Sequence, residues 1–77
     1  MLDGYEVDTI ELKKLMIENG IETLEGLKAA TNINRNTLSE VINGKAYPSS
    51  MVMVQIGKAL KMSSSQMGSI FFKPKLA

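Results

Sequence analysis

Apolar residues recur along the chain at spacings of three and four, and polar residues with capping or turn character divide them into five short runs. Ile10, Leu12, Leu15, Met16 and Ile17 give an apolar side over about residues 9–19. Asp8 stands in front of that run with Glu11 three residues on, the form of a capping box, and Asn19-Gly20 ends it. Thr23 is the next N-cap, and Leu24, Leu27 and Thr31, with Ala30 beside them, make a compact second helix of about eight residues. Asn32 can follow it in the left-handed region, which Asn tolerates better than most residues. In the third run Leu38, Val41 and Ile42 share one side; Asn34 is the N-cap, Gly44 the left-handed closing residue, and Lys45 a cation at the negative helix end. Lys45-Ala46-Tyr47-Pro48 is a loop, and Ser49 caps a fourth helix over 50–61. The Ser63-Ser64-Ser65 cluster reads as the cap of a last helix over 64–71, which Pro74 prevents from continuing. Residues 1–7 are a leader in which Gly4 disfavours helix, and residues 73–77 are a tail. There is no β alternation, internal repeat or long linker.

The third run divides into two faces. At about 100° per residue, Arg35, Asn36, Ser39, Glu40 and Asn43 fall opposite Leu38, Val41 and Ile42. One side is suited to a core, and the other is a row of multivalent hydrogen-bonding groups. The second run reaches the third through the short connection Asn32-Ile33-Asn34, the spacing of a helix-turn-helix unit, whose second helix is the reader. The pattern therefore predicts an all-α domain of five helices around one core, with helix 34–43 presented to a DNA groove.

Composition narrows the functional classes. Seventy-seven residues fit a single domain with a small core. Absence of cysteine removes disulfides and thiolate zinc sites, and absence of histidine removes the commonest general base and metal ligand. An enzyme is the least favoured class, and neither a cofactor nor a metal site is expected. With 44% hydrophobic and 22% charged residues the chain is globular rather than disordered. No apolar run approaches the roughly 18 residues of a membrane span. The start M-L-D-G-Y-E-V-D is acidic and unlike a signal peptide, so a cytoplasmic protein with no membrane partner is expected. The net charge is only +1, but residues 1–31 sum to −4 and residues 32–77 to +5. Such asymmetry points to a polyanion-binding side, although short chains vary this much by chance.

The stretch T-L-E-G-L-K-A-A-T-N-I-N-R-N-T-L-S-E-V-I-N-G-K-A-Y-P-S-S-M-V-M-V-Q-I-G-K-A-L-K-M-S resembles the Cro/C1-type (Xre-like) helix-turn-helix family of phage and bacterial regulators. Asn36-Thr37-Leu38-Ser39, Asn43-Gly44-Lys45 and Pro48-Ser49 match the family pattern S-x-x-T-L-S-x-x-x-N-G-K-x-x-P-S closely, and Ala59, Leu60 and Ser63 match its A-L-x-x-S tail. The resemblance covers roughly residues 9–72 and is greatest to small phage Cro-like repressors. It implies a five-helix, lambda-repressor-like helix-turn-helix domain over 1–77, working in a bacterial host on double-stranded operator DNA. Three positions depart from the family: Lys28 and Gly57 stand where Ala is usual, and Leu24 where a phosphate-contacting Gln is frequent.

Individual residues suit distinct contacts. Arg35 can fork onto guanine O6 and N7 or bind a phosphate, and Asn36 can pair with adenine N6 and N7 or bond locally. Ser39 is short enough to donate or accept at a base edge; Glu40 can accept from cytosine N4 or orient Arg35. The resemblance implies a phosphate clamp at Asn43, Gly44 and Lys45, where an ordinary helix C-cap is the plainer reading. Thr23 and Asn34 cap helices whose first N–H groups can meet phosphate, and Tyr47 can touch the DNA backbone or support its own loop. With so few cations a single copy would bind weakly, which favours a homodimer on a two-fold operator. Met53, Ile56 and Leu60 fit the core, leaving Met51 and Val54 for a dimer or partner surface. Two functions follow: a sequence-specific transcriptional regulator, or a protein-binding modulator that engages a partner repressor.

Overall fold

Every helix starts at a side chain that accepts a hydrogen bond from the backbone of its own first turn. In the computed structural model, which describes residues 4–75, the order is β1 (Tyr5–Glu6), α1 (Thr9–Glu18), α2 (Leu24–Thr31), α3 (Arg35–Ile42), α4 (Ser50–Ala59), α5 (Ser64–Phe71) and β2 (Lys73–Pro74). The caps are Asp8, Thr23, Asn34, Ser49 and Ser63, each satisfying an N–H that has no acceptor inside its helix. All five coincide with the caps expected from the sequence. Residues 1–3 of the expected leader and 76–77 of the expected tail lie outside the described residues.

Leu12, Leu27, Leu38, Ile56 and Phe71 are fully buried, and Val7, Met16, Val41, Ile42, Met53, Leu60 and Ile70 complete the core around them. Each helix thus contributes its periodic side to one shared interior, each large side chain contributing roughly 1.5–3 kcal/mol of transfer free energy. α2 packs on α3 and α4, and α1 on α3 and α5. Ile10 and Ile17, assigned to the apolar side of α1 by sequence, are exposed. They lie nearly opposite Leu12 around the helix, so one face cannot hold all of them.

Three further expectations are corrected. The leader and tail, read as having no β character, meet in a short antiparallel ribbon with Tyr5 opposite Pro74 and Glu6 opposite Lys73. The capping box at Asp8 is half formed: Asp8 Oδ1 accepts from the Glu11 N–H at 3.2 Å, but the Asp8 N–H donates to the Ile70 carbonyl at 2.7 Å. Glu11 has nothing left to accept there and pairs with Lys14 at 3.1 Å instead. The complete capping box belongs to Ser63 and Gln66 on α5. Helix α4 stops at Ala59 rather than 61, because Lys61 is left-handed (φ +55°). Its N–H donates to the Lys58 carbonyl at 3.3 Å and that of Met62 to the Gly57 carbonyl at 2.9 Å, a Schellman closure.

Candidate nucleic-acid interface

The connection between α2 and α3 is fixed at both ends. Asn32 is left-handed (φ +59°), and its N–H donates to the Lys28 carbonyl at 2.7 Å. The buried Thr31 hydroxyl donates to the Leu27 carbonyl at 2.7 Å and accepts from the Ile33 N–H at 3.3 Å. Ile33 packs against the core, and Asn34 Oδ1 then accepts from the N–H groups of Asn36 at 2.7 Å and Thr37 at 3.4 Å. Helix α3 is therefore aimed by one buried hydroxyl, one left-handed residue and one cap.

Helix α3 is anchored through Leu38, Val41 and Ile42, while Arg35, Asn36, Glu40 and Asn43 are exposed and Ser39 is half-buried. Its eight residues span about 12 Å, comparable to the width of the DNA major groove. Arg35 is not held by Glu40: its Nε lies 2.7 Å from Glu25 Oε2, in the first turn of α2. Asn43 turns its amide back onto the helix, donating to the Ser39 carbonyl at 2.9 Å and to the Ser39 hydroxyl at 3.4 Å.

The loop after α3 closes as a helix cap. The Asn43 N–H donates to the Ser39 carbonyl and that of Gly44 to the Val41 carbonyl, each at 3.1 Å, while the Lys45 N–H reaches the Glu40 carbonyl at 2.8 Å. Gly44 has φ +74°, a conformation that a side chain would strain. These N–H groups are used inside the cap, so of the suggested clamp the exposed Lys45 ammonium is the group left to meet a phosphate. Tyr47 supports the fold: its hydroxyl donates to the Phe71 carbonyl and its ring meets Phe72 edge-on, with centroids 6.4 Å apart. A phosphate oxygen only accepts, so this proton is not free for the DNA backbone. Burial, and secondarily the neighbouring Tyr5, push the Tyr47 phenol above its ordinary value of 10.0.

At the start of α2, Thr23 Oγ1 accepts from the Gly26 N–H at 3.0 Å, leaving those of Leu24 and Glu25 without an intrahelical acceptor. Leu24 is half-buried against the core, so its position makes packing rather than a polar contact. Lys28 is exposed while α2 and α3 remain packed, its ammonium in water. A Cβ on Gly57, where the resemblance leads one to expect alanine, would lie 2.5 Å from Met67 Sδ, so an alanine there requires the flexible end of the Met67 side chain to move aside.

Lysines 73 and 75, assigned only to the tail by sequence, line a surface groove of about 340 Å³ with Lys45, Gly44, Tyr47, Glu6 and Asp8. No local pattern announces them, because the ribbon brings them to that loop. Glu25 was also missed as a partner of Arg35, its signal being no more than an opposite charge ten residues earlier, in the first turn of α2. Among the described residues no cluster of three acidic, cysteine or histidine side chains could hold a metal, and no helix is long and apolar enough to cross a membrane.

Comparison with known proteins agrees with this geometry. The family model for the Cro/C1-type HTH DNA-binding domain matches residues 11–67, from the first turn of α1 into α5. The chain belongs to that family. No curated protein and no solved structure matches it. As a Cro/C1-type domain it is a DNA-binding regulator, and the match includes the whole of α2, the turn and α3.

Proposed function

We propose that this domain is a sequence-specific transcriptional regulator of the phage Cro-like repressor kind, acting in the cytoplasm as a pair of copies on duplex operator DNA. The exposed polar face of α3, set on a buried apolar face by a fixed turn, is the observation that carries this reading. Arg35, Asn36, Ser39 and Glu40 face the base edges, and Thr23, Asn34 and Lys45 face phosphates on either side. Asn43 and Gly44 shape the loop that carries Lys45, and Tyr47 braces it. Two readers about 34 Å apart would occupy successive major-groove faces of a two-fold site. Selection of duplexes from a random pool, followed by gel mobility at rising protein concentration, tests the reading. The expected result is one enriched, two-fold symmetric sequence bound by two copies.

The exposure of Met51 (72%) and Val54 (47%) on α4 favours a second reading, in which the chain engages a partner repressor. No enrichment from the pool at low salt, together with a stable complex with a repressor, would support it over the first.

A further inference from the structure

We propose that Glu25 is a positioning residue for base reading, holding one edge of the Arg35 guanidinium so that the other is presented to a guanine. The proposal rests on the reading of α3 as the DNA-contacting helix. Glu25 Oε2 to Arg35 Nε is 2.7 Å, within the range of a charge-assisted hydrogen bond, and the pair joins the two members of the helix-turn-helix. The ion pair Glu11–Lys14 lies within a single helix, and Glu6–Lys73, at 4.0 Å, within the ribbon.

A guanidinium is a planar fork of five N–H donors. With the Nε–H given to Glu25, the terminal Nη1 and Nη2 donors remain, and two parallel donors are what guanine O6 and N7 accept. An untethered arginine at the start of a helix can swing between a base and a phosphate. Tethering at Nε removes part of that freedom before DNA arrives, lowering the ordering cost of the base contact. The pair also resolves a local conflict. The first N–H groups of α2 attract phosphate, whereas a lone carboxylate in that turn would repel it, and Arg35 neutralises Glu25 where it stands. Both side chains are more than half exposed, so the pair contributes little to folding stability. Its consequence falls on discrimination.

The test uses the duplex selected by the wild-type protein, a scrambled duplex, and the variants Glu25→Ala, Glu25→Gln, Arg35→Ala and Glu25→Ala/Arg35→Ala. Glu25→Ala is expected to keep the wild-type melting temperature, to bind scrambled DNA at least as well, and to lose selected-over-scrambled preference by roughly tenfold. Glu25→Gln keeps an oxygen for the Nε–H and should retain most of the preference. In the Arg35→Ala background, Glu25→Ala should leave the remaining preference unchanged. Equal factors on both duplexes, or the same loss with and without Arg35, would overturn the role of Glu25. A wild-type protein without preference would instead overturn the DNA-reading assignment and this proposal with it.

Discussion

The Thr31 hydroxyl donates to the Leu27 carbonyl at 2.7 Å inside the core, a bond within the last turn of α2, the first helix of the helix-turn-helix. The same oxygen accepts from the Ile33 N–H, so one side chain ends α2 and starts the turn. Thr31→Val preserves shape and removes both bonds. It is expected to cost about 1–2 kcal/mol, because a half-buried N–H loses its partner. Urea unfolding should show a lower midpoint with an unchanged slope.

Tyr47 links the loop after α3 to the end of α5. Tyr47→Phe keeps the ring against Phe72 and loses the bond to the Phe71 carbonyl, at an expected cost of about 1 kcal/mol near neutral pH. The unfolded chain gives up this phenolic proton more readily than the folded one, since burial raises the folded value. The contribution is therefore fully present below about pH 10 and declines as the pH rises through the folded value. Measured by denaturation at several pH values, the wild-type advantage over Tyr47→Phe should shrink in the alkaline range and stay level below it.

Lys61 occupies the left-handed position that closes α4, with φ +55°. A side chain there carries about 1–2 kcal/mol of steric cost, partly offset by the greater freedom glycine has when unfolded. Lys61→Gly is expected to stabilise the domain by about 0.5–1 kcal/mol, seen as a higher melting temperature. Destabilisation would mean that the lysine stem packs more favourably than its conformation costs.

The five helix starts were legible because a cap is decided within four residues, as at Ser63 and Gln66 or at Asn34 and Asn36. The two faces of α3 were legible because one helix carries both. What sequence did not disclose depends on distant partners. Tyr5 and Pro74 pair over two-residue strands too short to show alternation, and that ribbon brings Lys73 and Lys75 to Lys45. Glu25 finds Arg35 only once the turn is folded. Asp8 looked able to complete its box, but its N–H goes to Ile70, far along the chain. Lys61 is a poor left-handed residue by type, so the end of α4 could not be placed from propensity alone.

The affinity of wild-type and Arg35→Ala protein for the selected duplex and for a scrambled one, at a fixed salt concentration, tests the central claim most directly. Base reading by α3 requires Arg35→Ala to lose about 1–3 kcal/mol on the selected duplex, to lose much less on scrambled DNA, and to relax the preference at one base pair. An equal loss on both duplexes would make Arg35 a phosphate contact and contradict the account.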